Sequence, residues 1–274
     1  MEKPYVISEE LDIIDADYIQ KNKIDEFRES LDDDLRSMGK NTTWVSSNEL
    51  RQGMNNIIAK TRLPIASLDD RYVTSADGWI GMSRGVDGNL NDIGYLPRVG
   101  YLSIARQLDE IASIGDEIVV VDDVVFSGEM ICKLKEELQK RNVKIGAVAC
   151  GILIGEGAEK LQDAGINIEA VRVFDEVDDE LCERDFAVVA GSGRRVKSPA
   201  VNALYFCNEF GKPTEWASIP SPYVNEFAYN SYIRSKGLIK PDAEMQDIGR
   251  FYGFDSRGNA RVALGSRAFD ARLF

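Results

Sequence analysis

An α/β fold with a parallel central sheet is what this sequence predicts, with a helical N-terminal extension and an irregular, partly β C-terminal extension. Two observations carry that prediction. Glu117-Ile118-Val119-Val120-Val121, the stretch from Val143 to Ile154 and the stretch from Ile168 to Phe174 are apolar runs rich in β-branched residues, as expected of strands buried on both faces. Between them lie segments with apolar residues at helical spacing: Met130, Ile131, Leu134 and Leu138 in the first, and a shorter helix from Glu156 to Ala164 in the second. Strands alternating with helices at this spacing pair in parallel through crossover connections.

The other elements are read in order along the chain. Ile24, Phe27, Leu31 and Leu35 recur at helical spacing in an acidic N-terminal stretch, so one face docks while Asp32-Asp33-Asp34 is expected to form a solvated face. A second amphipathic segment, Glu49 to Thr61, places Leu50, Met54, Ile57 and Ile58 on one side. Short β-type runs follow at Leu63-Pro64-Ile65-Ala66 and Trp79-Ile80-Gly81-Met82. Gly85 to Gly100 holds four glycines, two asparagines and a proline and reads as a long loop, and the run from Val86 to Gly100, with Tyr95, Arg98 and the adjoining Tyr101, is the candidate lid. Leu102, Ile104, Ala105, Leu108 and Ile111 mark a helix. Beyond Ser192 the pattern is irregular, with Trp216, Tyr223, Phe227, Tyr229 and Tyr232 among turns. A terminal hairpin is expected from Phe251 to Leu264, turning at Arg257-Gly258-Asn259. Residues 1–60 thus form an N-terminal helical extension, 61–190 the core and 191–274 a C-terminal extension or hood, all within one compact unit.

Composition narrows the chemistry. The chain has 274 residues, 44% hydrophobic and 29% charged, enough to bury a sizeable core. A net charge of −13 argues against general nucleic-acid binding, which draws its affinity from Lys and Arg on phosphates. With no histidine, imidazole acid–base chemistry and His-ligated zinc are excluded. Cys132, Cys150, Cys182 and Cys207 form no C-x-x-C pair, so free thiols in a reducing cytoplasm are expected. No signal peptide is read at the N-terminus, and no run approaches the ~18 apolar residues of a membrane span. A cytoplasmic protein is expected.

The segment that carries chemistry is Val119-Val120-Val121-Asp122-Asp123-Val124-Val125-Phe126-Ser127-Gly128-Glu129-Met130. Two acids stand where a buried strand meets a loop, and a Ser-Gly pair then opens a helix. Parallel sheets bind ligands at the carboxyl ends of their strands, and the unpaired amides of a helix N-terminus accept a phosphate. Paired carboxylates accept hydrogen bonds from vicinal hydroxyls. A sugar with a phosphate on one side fits the combination.

This segment resembles the phosphoribosyl-pyrophosphate (PRPP) loop of the type I phosphoribosyltransferases: apolar strand, two acids, two apolar residues, then Thr-Gly-x-Thr. The resemblance implies that Asp122 and Asp123 hold the ribose hydroxyls, and through them Mg²⁺. It implies that Val124, Val125, Phe126, Ser127, Gly128, Glu129 and Met130 complete the PRPP loop, the last four wrapping the 5′-phosphate. The implied reaction moves the 5-phosphoribosyl group from PRPP to an acceptor with release of pyrophosphate. The implied partners are a phosphorylated sugar substrate and Mg²⁺, without nucleic acid or membrane, and a homodimer is compatible with this reading.

Two residues depart from the family pattern. Met130 replaces the final Thr, and Phe126 stands where 6-oxopurine members carry a carboxylate, so a hypoxanthine–guanine acceptor is not expected. These departures also favour the rival reading, a non-catalytic regulator that binds PRPP or a nucleotide. Met82-Ser83-Arg84-Gly85 resembles the Ser-Arg-Gly pyrophosphate loop of adenine-type members, which makes Ser83, Arg84 and Gly85 pyrophosphate candidates, with Arg98 the candidate from the lid. Arg194-Arg195 either adds charge for pyrophosphate or forms a surface turn, and Trp216 belongs either to a base-recognising hood or to the core.

Overall fold

The computed structural model describes residues 2–197, 201–207 and 211–241, with the backbone of 250–254 and 260–264. In chain order the elements are β1 (Pro4–Ser8), α1 (Ile24–Ser37), β2 (Asn41–Val45), α2 (Ser47–Ile58), β3 (Ile65–Ser67), β4 (Gly78–Trp79), β5 (Met82–Val86), β6 (Asp92–Pro97), α3 (Ile104–Ile111) and β7 (Glu117–Val125). They continue with α4 (Glu129–Gln139), β8 (Lys144–Ile154), α5 (Gly155–Asp163), β9 (Asn167–Phe174), β10 (Asp179–Cys182), β11 (Arg194–Val196), β12 (Asn202–Ala203), α6 (Pro213–Trp216), α7 (Val224–Leu238), β13 (Arg250–Phe254) and β14 (Ala260–Leu264).

The chain divides into two units. One comprises residues 45–82 and 97–177, and the other residues 1–44, 83–96 and 178–274. The first holds a five-stranded sheet in the order β4-β3-β7-β8-β9, and every pairing in it is parallel. This is the expected α/β core. Ile118, Val120 and Val121 in β7 are fully buried, because helices must cover both faces of a parallel sheet. Helix α2 lies close to this sheet. A side chain at Gly53 would run into Val171 of β9 at 2.5 Å, and one at Gly151 of β8 would stand 3.1 Å from Leu50. The two glycines therefore set how near α2 sits. Its N-terminus is capped by Ser46, whose hydroxyl accepts the Glu49 amide at 3.2 Å. From β3 the chain passes to β4 on one side, while β7, β8 and β9 extend the sheet on the other. The topological switch point therefore falls between β3 and β7, where open parallel sheets bind ligands.

The second unit contains the sheet β10-β1-β2 and the sheet β14-β13-β12-β11-β5-β6. Its core gathers Ile24, Phe27, Leu31 and Leu35 of α1 with Phe227, Ala228 and Tyr232 of α7. Three expectations are corrected in this unit. Asp32 and Asp34 are not a solvated face: Asp32 accepts the Thr42 hydroxyl at 2.6 Å and the Trp44 indole N–H at 2.9 Å, and Asp34 pairs with the buried Arg234. Half of the run from Gly85 to Gly100 is paired strand, the end of β5 and all of β6, and both of its asparagines fall in the turn between them. There the Asp87 carboxylate accepts the amides of Asn89 at 2.8 Å and Asn91 at 2.9 Å. The stretch with Phe227, Tyr229 and Tyr232 is a 15-residue helix, α7, not a set of turns. Its apolar period is blurred because Ser231 and Ser235 are buried while Tyr229 and Ile233 are exposed. The terminal strand pair, β13 with β14, is antiparallel as expected, and its Arg257-Gly258-Asn259 turn lies outside the described residues. No helix among the described residues is long and apolar enough to cross a membrane.

Candidate functional site

The site is built at the carboxyl edge of the parallel sheet. β7 does not stop at Val121 as its apolar run suggests; it continues through Asp122 and Asp123 to Val125. The partner strands explain this. β3 follows β7 only as far as Ser67 opposite Val121, whereas β8 continues to pair, Asp122 opposite Cys150 and Val125 opposite Leu153. One flank of β7 is thus left without a partner strand where the two acids stand. Asp122 is 3% exposed, so it is not the open strand end the sequence suggested, while Asp123 is half-buried.

The electrostatics of this edge are unusual. Asp122 Oδ1 accepts the Asp123 amide at 3.1 Å, and its buried Oδ2 has no hydrogen-bond partner. Burial pushes the Asp122 carboxyl well above the usual range, and the neighbouring Asp123 charge and Asp69 add to the rise. Arg98 opposes it. A buried acceptor without a donor is costly, so this oxygen is poised for a hydroxyl or a cation-bound group. Asp123 Oδ1 accepts the Val124 amide at 2.9 Å.

Beyond β7, Gly128 sits at the start of α4 with φ +71°, a left-handed conformation that favours glycine. A Cβ there would stand 3.2 Å from the Gly157 carbonyl oxygen of α5, so the glycine serves the turn and the packing of α4 on α5 rather than the approach of a ligand. The first-turn amides of α4 have no intrahelical acceptor, and the Ser127 hydroxyl lies 3.5 Å from the Glu129 amide. The Glu129 carboxylate reaches Lys160 at 3.4 Å. Ile131, Leu134 and Leu138 form the buried face of α4, whereas Met130, like Phe126, Ser127 and Val124, is half-buried and Val125 is buried.

Sequence reasoning missed the turn that faces this loop across the switch point. After β3, Asp69 turns back to accept the amides of Arg71 at 2.9 Å, Tyr72 at 2.8 Å and Val73 at 3.0 Å. Burial pushes its carboxyl up to about 7, the Asp123 charge adds to the rise, and these three amides oppose it. Next to it, Asp70 meets Arg98 and Arg71, each at 3.4 Å, and the Tyr101 hydroxyl at 3.5 Å. Burial and Asp70 raise the Tyr101 hydroxyl, which keeps it a donor. A signal was present: Leu68-Asp69-Asp70-Arg71 is a second acidic pair following a short apolar run.

The other candidates fall elsewhere. Arg98 is in the same unit as Asp122, but Ser83, Arg84 and Gly85 lie in strand β5 of the second unit rather than in a loop, with Gly85 opposite Arg195 of β11. Arg194 is neither a surface turn nor a free charge. It is buried in β11, 4.5 Å from the Trp216 ring centroid and 5.5 Å from that of Tyr205, with Asp92 at 3.7 Å. Trp216 packs in a core with Val86, Leu90, Val196, Val201 and Ala203.

The chain has partial matches among known proteins. A stretch of 67 residues, 24% of this chain, is 41% identical to a hypoxanthine/guanine phosphoribosyltransferase of Methanosalsum zhilinae. Over that stretch the chain is similar to a phosphoribosyltransferase. It spans about a third of that relative's length, 34%. Among solved structures, orotate phosphoribosyltransferase from Aeropyrum pernix is 34% identical over 21% of this chain and 35% of its own, with a TM-score of 0.20. The Mycobacterium tuberculosis orotate phosphoribosyltransferase in complex with PRPP is 12% identical over 45% of this chain and 70% of its own, with a TM-score of 0.29. At these TM-scores the fold rests on the strand order itself. No family model matches the chain.

Proposed function

We propose that the chain binds PRPP and transfers its 5-phosphoribosyl group to an acceptor, releasing pyrophosphate. One observation carries the reading: Asp122 and Asp123 stand on the unpaired flank of β7, at the switch point, just ahead of the amide-rich start of α4. In this reading the two carboxylates take the ribose 2′- and 3′-hydroxyls, and the partnerless Asp122 oxygen gains its missing donor. Ser127, Gly128, Glu129 and Met130 surround the 5′-phosphate, mostly through backbone amides at the positive end of the helix.

The donor set suits Mg²⁺ carried in by the substrate. Among the described residues no three Asp, Glu or Cys side chains converge into a cage of their own, and Mg²⁺ usually binds through few carboxylates plus substrate phosphates. Asp122 and Asp123 would hold the ion through the ribose hydroxyls, and it would supply charge neutralisation at the leaving pyrophosphate. The protein's own contribution is orientation and electrostatics, without a nucleophile.

The acceptor is proposed not to be a 6-oxopurine, because the ring at Phe126 offers no carboxylate to the purine; the hypoxanthine/guanine relative makes hypoxanthine and guanine the stringent controls. PRPP titration with Mg²⁺ by calorimetry, followed by a pyrophosphate-release screen across nucleobases, tests the whole reading. Binding is expected, and the double variant Asp122→Asn, Asp123→Asn should abolish it in a folded protein. Parent-like PRPP affinity in that variant refutes the ribose assignment. PRPP binding without pyrophosphate release for any base would make the chain a sensor.

A further inference from the structure

The Asp70 carboxylate stands among three donors without closing tightly on any of them. Arg71 Nε and Arg98 Nη1 both lie 3.4 Å from its Oδ1, and the Tyr101 hydroxyl lies 3.5 Å from its Oδ2. The Arg28–Glu183 and Lys40–Asp178 pairs are closer, each at 2.7 Å. The donors, by contrast, are held firmly. Arg98 Nε donates to the Met82 carbonyl at 3.2 Å, and its amide donates to the Gly81 carbonyl at 2.9 Å. The Tyr101 ring fills the space beside Gly81, where a Cβ would come within 2.3 Å of it. Buried Gln107 locks that frame, accepting the Gly81 amide at 2.7 Å and donating to the Leu102 carbonyl at 2.6 Å. Asp69 anchors the other side through its three amides, one of them Arg71's own.

We propose that Asp70 is a resident anion, occupying an Arg71–Arg98–Tyr101 site that a phosphoryl group of the ligand must take over. The Asp70 oxygens reach these three donors only at 3.4–3.5 Å. A phosphoryl group offers three acceptor oxygens and more charge, so it satisfies the same donors better. Displacement is inexpensive because the Asp70, Arg71 and Arg98 side chains are each about a third exposed, at 33%, 33% and 34%, and exposed ion pairs are weak. Asp70 then competes with its own ligand and sets the affinity. The inference deepens the PRPP reading by adding a control on the pyrophosphate side of that site, and takes from it only the identity of the anion.

The test uses the full chain and inorganic pyrophosphate, measured by calorimetry beside PRPP with Mg²⁺. Asp70→Asn removes the competing charge at nearly constant shape, and Asp70→Ser provides a second variant should the first fold poorly. Pyrophosphate is expected to bind about three- to fivefold more tightly to either variant, a gain that shrinks as salt rises and disappears when Arg98→Ala is added. Equal or weaker pyrophosphate binding, or a gain that survives in the Arg98→Ala background, overturns the proposal. The two readings fail separately. PRPP binding to the parent with no pyrophosphate gain in the variants sinks the resident anion alone. A pyrophosphate gain with no PRPP binding to any form sinks the ribose assignment alone.

Discussion

Arg28 of α1 grips Glu183 with two parallel hydrogen bonds, Nε to Oε2 at 2.7 Å and Nη2 to Oε1 at 2.8 Å. The same Oε1 accepts the amides of Glu10 at 2.6 Å and Leu11 at 2.7 Å, and Glu183 is fully buried. One carboxylate thus pins the segment after β1, helix α1 and the end of β10 together. Planar, bidentate geometry of this kind is the strong form of ion pair.

Glu183→Ala should therefore destabilise the protein by about 2–4 kcal/mol, because the half-buried Arg28 guanidinium loses its bidentate partner, keeping only Asp12 and Glu9, while two amides lose their acceptor. Glu183→Gln keeps the shape and one acceptor, and should cost about half as much. Urea unfolding of the two variants checks the order. If Glu183→Ala costs under ~1 kcal/mol, water or a neighbour replaces the carboxylate.

The raised carboxyl of Asp69 predicts a pH dependence. Its folded value, about 7, lies above the ~3.9 of an unfolded chain, so the folded state binds more protons between these values. Stability is then fully present below ~4 and falls as pH rises toward and through 7. The unliganded protein should melt higher at pH 5.5 than at pH 8, and Asp69→Asn should flatten part of that slope. A melting temperature that climbs steadily from pH 5.5 to 8 would contradict the assignment. Asp122, raised for the same first reason of burial, contributes in the same direction.

Gly128 is testable apart from any ligand. Gly128→Ala should cost about 1–2 kcal/mol, since an L side chain at φ +71° is strained and its Cβ crowds Gly157. Gly128→Val should cost more, because both γ carbons add to that crowding. Chemical denaturation ranks the two, and an unchanged Gly128→Ala would mean that the α4–α5 contact yields.

Much of the first unit was legible in the sequence because buried parallel strands leave long apolar runs, so 117–121, 143–154 and 168–174 announced β7, β8 and β9. Asp122, Asp123 and Gly128 stand out in the sequence because they crowd into one strand-to-helix segment. Asp69, Asp70 and Arg71 were not, since β3 is only three residues long and Ile65-Ala66-Ser67 carries no period. Tertiary partners hid the rest. Asp34 looks solvated until Arg234, 200 positions away, is placed beside it. Helix α7 reads as turns because its buried face includes the serines that bridge to it, Ser235 accepting the Val188 amide at 3.0 Å.

Met130 gives the sharpest test of the loop. It lies in the first turn of α4, half-buried, while Ile131, Leu134 and Leu138 supply the face that packs on the sheet. Met130→Thr therefore removes only part of a buried side chain, and threonine costs a few tenths of a kcal/mol in helix propensity. The expected loss of stability is below ~1.5 kcal/mol. The added hydroxyl stands beside amides that already lack intrahelical acceptors, and hydrogen bonds to a charged group contribute about 1.5–3 kcal/mol. PRPP should then bind about tenfold or more tightly. Melting temperature and PRPP affinity measured on one preparation separate the outcomes. Tighter binding with a small stability loss places the 5′-phosphate at this turn. A large stability loss with no gain in affinity makes Met130 a packing residue and moves the phosphate away from it.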